Sequence, residues 1–124
     1  MTDLSDLDPT HLYRNAPDLL TESAELLTAS SGILTQALAG ILADDEYIRD
    51  YYLRRAVQMD RIALLSTAGD REAGHAAEAA EMLAAHDRVH PYLSPAGLTV
   101  PDESATGDEA RGYTRACYDA APWS

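Results

Sequence analysis

A stripe of apolar and small side chains runs through residues 19–42 at helical spacing. Its main row follows alternating steps of four and three residues: Leu20, Ala24, Leu27, Ser31, Leu34, Leu38 and Ile41. A second row beside it repeats every seven residues: Leu19, Leu26, Ile33 and Gly40. This spacing is typical of an amphipathic helix with a coiled-coil-like seam. Because one helix cannot bury such a stripe by itself, we expect a partner helix, from this chain or from a second copy.

The composition extends the helical prediction to the whole chain. Alanine is the commonest residue, Phe is absent, Trp occurs once, and runs of β-branched residues are missing, which favours helices. The 124 residues suit one domain. We therefore predict an all-α fold in a single domain, 1–124, built as a small bundle of three long helices with a short C-terminal helix.

Breaks in the periodicity set the predicted boundaries. The elements are a flexible acidic arm (1–16), four helices (17–43, 47–65, 70–89 and 107–120) and a Pro-rich loop (91–105). The last helix starts at a capping box, TGDE, at 106–109, and alanines on the third would let a neighbouring helix approach closely. Neither Gly nor Pro marks residues 44–46, so a turn there and one continuous helix both stay open. The usual length of helices favours the turn.

The charge balance restricts the kind of partner. The chain has 21 acidic residues and 9 basic residues, all of them Arg, for a formal net charge of −12. Nucleic acids and anionic membranes require clustered positive charge, so neither is an expected partner, and a basic protein is favoured. Cys117 stands alone, which excludes an intrachain disulfide. The acidic start, MTDLSDLD, lacks the apolar region of a signal peptide, so we expect a cytoplasmic protein.

Aromatic and arginine side chains interleave on the second helix. Residues 51–64, YYLRRAVQMDRIAL, resemble a segment of small uncharacterised helical proteins of high-GC actinomycetes. The resemblance covers little more than a tenth of the chain and implies an all-helical cytosolic protein. Tyr and Arg are enriched at protein interfaces, although core packing with intrachain ion pairs is the competing interpretation. The predicted partner-binding residues are Tyr51, Tyr52, Arg54 and Arg55. The same helix offers two i,i+4 ion pairs with the acid first: Asp45–Arg49 and Asp50–Arg54.

His86 and His90 lie one turn apart on the third helix. The pattern HDRVH resembles the zincin motif His-Glu-x-x-His, but Asp87 stands where the Glu general base belongs. Pro91 ends the helix at once, and no third ligand follows at a recognisable spacing. We therefore interpret the pair as surface histidines near the negative end of the helix dipole. We predict no metal and no cofactor, with His86 and His90 as weak metal candidates.

The sequence contains no recognisable catalytic motif, such as a phosphate-binding Gly loop or a nucleophile elbow. We therefore predict a non-enzymatic protein–protein interaction module, an adaptor or small regulatory subunit, and favour a homodimer over a monomer. The alternative is an acidic inhibitor that occupies a basic groove on another protein, in the manner of a DNA mimic. Its carboxylates would be Asp44, Asp45, Glu46, Glu72, Glu78 and Glu81.

Overall fold

The computed structural model describes residues 9–40, 44–65 and 69–121 of the chain. Within these ranges the elements are α1 (Pro9–Leu12), α2 (Leu19–Leu38), α3 (Asp45–Ala63), α4 (Asp70–Val89), a 3₁₀ helix (Pro91–Leu93) and α5 (Gly107–Ala120). The described residues contain no strand, so the all-α prediction is confirmed. None of these helices combines the length and the apolar character that crossing a membrane requires.

Helix ends fall where capping side chains satisfy the backbone. At the start of α5, Thr106 Oγ1 accepts from the Glu109 N–H at 3.1 Å, and Glu109 Oε1 accepts from the Thr106 N–H at 3.2 Å, as the predicted capping box requires. The carboxylate of Asp18 caps the first turn of α2. This helix is shorter than predicted, because it ends at Leu38 and Gly40 adopts a φ of 78° directly beyond the cap.

The three long helices pack as antiparallel neighbours. Gln58, near the end of α3, donates to Ser23, near the start of α2. Arg49, near the start of α3, donates to Asp87, near the end of α4. Consecutive long helices therefore run in opposite directions, and the predicted break between α2 and α3 is a reversal.

The core lies between α3, α4 and α5, with α5 parallel to α4. Its buried apolar residues come from all three helices: Leu53, Ala56, Val57, Ala79, Leu83, Ala84, Tyr113, Cys117 and Tyr118. The predicted alanine face of α4 does allow a close approach, since a Cβ added to Gly107 would lie 2.9 Å from the Cβ of Ala77. A side chain at residue 107 would force α4 and α5 apart.

Residues 9–16 are not a flexible arm. The ring of Tyr13 is buried against Tyr118, with centroids 5.0 Å apart and an edge-on arrangement. Its hydroxyl donates to Asp60 at 2.8 Å. The prediction of an arm is therefore wrong for this stretch, because a single docked aromatic residue leaves no periodicity to detect. Residues 1–8 lie outside the described residues.

Candidate functional site

The two apolar rows of α2 have different environments. Leu26, in the row with seven-residue steps, is buried, and its neighbours Leu19 and Ile33 are partly buried. The main row is exposed: Leu20 by 84%, Leu27 by 70%, Leu34 by 61% and Leu38 by 81%. Ala24 and Ser31 between them are also exposed, while Ile41 lies outside the described residues. We name the row from Leu20 to Leu38 the leucine face. It is an apolar helix surface that residues 9–40, 44–65 and 69–121 leave uncovered.

Arg54, one of the predicted partner-binding residues, is engaged within the chain. Its Nε lies 2.8 Å from Asp50 Oδ2, which confirms the predicted i,i+4 pair. Its Nη1 lies 3.6 Å from Glu22 and 3.7 Å from Glu25, both on α2. Arg54 therefore links α3 to α2.

The other predicted partner-binding residues are half-buried between α3 and α4. Tyr52 packs against His86 with ring centroids 5.5 Å apart, and it lies beside Tyr51. Arg55 Nη1 lies 3.4 Å from the sulfur of Met82. These contacts agree with the competing interpretation of intrachain packing, and a partner-binding role for this surface stays a prediction.

The six carboxylates of the acidic alternative fall into two groups. Asp44, Asp45 and Glu46 are exposed at the start of α3, beside the end of α4. Glu72 lies in the first turn of α4, about 27 Å away along that helix at 1.5 Å per residue. There it accepts a hydrogen bond from the Gly69 N–H at 2.8 Å. Glu78 is exposed nearby, and Glu81 forms an ion pair with Arg88. No continuous acidic surface therefore joins these six residues.

Asp60 is a fully buried carboxylate between α3 and α5. It accepts from Arg111 at 2.8 Å, from Arg115 at 2.9 Å and from the Tyr13 hydroxyl at 2.8 Å. The two arginines are four residues apart, on one face of α5. The carboxylate is thus neutralised and fully hydrogen-bonded, which makes it a structural cross-link.

Asp87 is a second fully buried carboxylate, between α3, α4 and α5. Arg49 donates to both of its oxygens, at 2.9 and 3.1 Å, and the Tyr113 hydroxyl donates at 2.5 Å. Arg49 was predicted to pair with Asp45, but it reaches across to α4 instead. This choice leaves the Asp45 carboxylate available for other contacts.

Cys117 is a buried core residue, as its position on the apolar side of the last helix predicts. Burial raises the pKa of its thiol from 9.0 to about 11. The folded protein therefore keeps this proton between pH 9 and 11, while the unfolded chain releases it. We expect the free energy of unfolding to fall as the pH rises through this range, because the folded state binds more protons.

Urea titrations at several pH values check this prediction, with Cys117→Ala as the matched variant. Burial also raises the pKa values of Tyr13 and Tyr113, so some alkaline destabilisation persists in the variant. The contribution of the Cys117 thiol is the difference between the pH dependence of the wild type and that of the variant. Parallel curves for the two proteins would contradict the assignment.

A histidine cluster stands at the end of α4. His86 and His90 lie on one face with ring centroids 4.6 Å apart, and Asp45 approaches them from the start of α3, with its Oδ2 3.8 Å from His90 Nδ1. One ligand atom from each of the three residues lies within 4.8 Å of the other two. The Tyr92 hydroxyl donates to Asp45 Oδ2 at 3.2 Å. The structure thus supplies a third candidate ligand where the sequence showed two.

The sequence contains a local signal for some of these features and none for others. The stripe behind the leucine face is visible in the sequence, but which row α3 would cover is not. Asp45 joins His86 and His90 across some forty residues, so no local spacing could show it. Comparison of the chain with protein-family models, with curated proteins and with solved structures finds no match.

Proposed function

We propose that the protein is a non-enzymatic protein–protein interaction module whose principal interface is the leucine face, and that its first partner is a second copy of this chain. The observation that carries the proposal is the row of four exposed leucines on α2. Burying one leucine side chain stabilises a complex by about 1.5–3 kcal/mol. Exposed apolar surface gathered on one helix face is typical of an interaction site.

The spacing of the leucine face suits self-association. Its steps of four and three residues read the same in both directions, so an antiparallel copy presents the same pattern. A twofold axis at residue 29 pairs large side chains with each other or with small ones: Leu20 with Leu38, Ala24 with Leu34, and Leu27 with Ser31 of the second copy. A surface that complements itself in this way is what a symmetric dimer requires.

The helix dipoles favour the same antiparallel arrangement. An antiparallel pair places the positive N-terminal end of each α2 beside the negative C-terminal end of the other copy. A parallel pair would place like ends of the two dipoles side by side.

Sedimentation equilibrium tests the proposal on the whole chain. We expect wild-type protein to form dimers and Leu34→Glu to lower the association constant by at least about 100-fold, because burying an unpaired carboxylate costs several kcal/mol. The matched control is Gln36→Glu, which adds the same charge about 200° around the helix. The control should still dimerise. A monomeric wild type, or equal effects of both substitutions, would contradict the interface.

Disulfide trapping tests the orientation. In the antiparallel arrangement, Leu20→Cys protein should cross-link with Leu38→Cys protein when the two are mixed and oxidised. Leu20→Cys alone should not cross-link, since its two copies would lie about 27 Å apart along the helices. Cross-linking of Leu20→Cys alone would instead indicate a parallel pair.

The acidic inhibitor stays the alternative proposal, supported by the net charge of −12. Its carboxylates lie in two separate groups, which suits a single basic groove less well than a continuous surface would. Salt separates the two proposals, because binding through carboxylates weakens steeply with ionic strength and association through leucines does not. The surface at Tyr51 and Arg55 is the proposed contact for a different protein.

A further inference from the structure

We propose that Asp45, His86 and His90 form a binding site for a divalent transition-metal ion of the Zn²⁺ class. Two imidazoles and one carboxylate are a ligand set that suits such ions and suits Mg²⁺ or Ca²⁺ poorly. The site does not depend on dimerisation through α2, because Asp45 lies in α3, His86 in α4 and His90 at the C-cap of α4, all within one chain.

The distances between the three ligand atoms are slightly longer than those around a bound zinc ion, so binding requires only a small movement of the ligands. Ligand atoms around a tetrahedral zinc lie about 3.3 Å apart, given bonds of about 2.0 Å. Asp45 Oδ2 and His90 Nδ1 are 3.8 Å apart, and the whole set lies within 4.8 Å. The Asp45 side chain is half exposed, so a small rotation closes the remaining gap. Three protein ligands leave a further position for water.

The surroundings of His86 favour coordination through Nε2. Its side chain is only 10% exposed, and its buried Nδ1 has no hydrogen-bond partner among the residues that the structure describes. Asp87 Oδ1 lies 3.7 Å from this nitrogen. An ion on Nε2 would place the proton on Nδ1, on the side-chain atom nearer to this carboxylate, and so would approach the usual carboxylate–histidine–metal order. Arg49 and Tyr113 fix the carboxylate for that task.

The field at this end of the bundle attracts cations. The histidines stand at the C-terminal end of α4, which is the negative end of its dipole. Asp44 and Glu46 are exposed beside Asp45 at the start of α3. Their negative charges lower the free energy of a cation bound nearby.

Titration calorimetry with ZnCl₂ on untagged full-length protein tests the site, and the visible spectrum of the Co²⁺ form reports its geometry. We expect one ion per chain, with tetrahedral or five-coordinate Co²⁺ bands, in the presence of excess Mg²⁺. His90→Gln and Asp45→Asn should each lower the affinity by at least about 100-fold, since even the loss of a second-shell partner costs about 10–100-fold. Both residues are near the surface, and circular dichroism would confirm that the variants fold.

His75→Gln is the matched control, because His75 is exposed on α4 outside the cluster. Its affinity should equal that of the wild type. Absence of a saturable site, displacement of Zn²⁺ by excess Mg²⁺, or unchanged affinity in His90→Gln would each overturn the proposal. A preference for Ni²⁺ or Cu²⁺ over Zn²⁺ would support it, because these ions use the same ligands.

Discussion

Replacing Asp60 by Asn is expected to lower the free energy of unfolding by about 3–5 kcal/mol, because it removes one partner of a buried ion pair. The carboxylate is fully buried and binds Arg111 and Arg115. The amide keeps the shape but removes the negative charge, so two poorly solvated guanidinium groups lose their counter-ion. Domains of this size are stable by about 5–15 kcal/mol in total. The variant should therefore unfold at a much lower urea concentration, as followed by circular dichroism.

Asp50→Asn is the control for this prediction. Asp50 also pairs with an arginine, Arg54, but both side chains are substantially exposed, at 44% and 32%. Exposed pairs contribute at most about 1 kcal/mol, so the same chemical change should shift the unfolding curve little. Equal losses in the two variants would show that burial of Asp60 is not what makes its charge essential.

Leu83→Ala is expected to lower the free energy of unfolding by about 2–5 kcal/mol, because it removes apolar contacts and leaves a cavity. Leu83 is fully buried in the core between α3, α4 and α5. The loss should be independent of protein concentration, since the cavity lies within one chain. Urea titrations at two protein concentrations measure this.

Leu27→Ala makes the same chemical change on the leucine face. Leu27 is exposed, so the variant should match the wild type within about 0.5 kcal/mol at concentrations where both are monomeric. At higher concentrations the wild type should gain stability by mass action and the variant should gain less. A large loss at every concentration would mean that Leu27 is covered within its own chain.

The predictions from sequence succeeded where the responsible forces are local. α4 and α5 follow closely from the alanine periodicity and from the capping box at Thr106, because capping and side-chain periodicity act within one or two turns. Tyr13 illustrates the opposite case. A single aromatic residue that docks on α5 and Asp60 depends on the position of the whole bundle, which the neighbouring sequence does not encode.

The ion pairs also divide into those set by local spacing and those set by tertiary contacts. Asp50–Arg54 lies within one helix and was predictable from its spacing. Arg49 had an acid at the same spacing, Asp45, yet it binds Asp87 on another helix. A buried carboxylate gains far more from an arginine than an exposed one does, so the tertiary contact outweighs the local one. The resulting availability of Asp45 is what brings a third candidate ligand to the two histidines.

The buried carboxylates also fix the axial register of α5 against α4, which the alanines of α4 do not determine. Helix α4 presents a face of small side chains, including Ala76, Ala80 and Ala84. Such a face packs well against a neighbouring helix, but it does not fix the axial register of that helix. Sliding α5 by one turn, about 5.4 Å, would still press it against alanines. It would, however, separate both buried carboxylates from the donors that α5 brings to them. The alanines therefore supply cohesion, and Asp60 and Asp87 select one register among several that the apolar surface alone would tolerate.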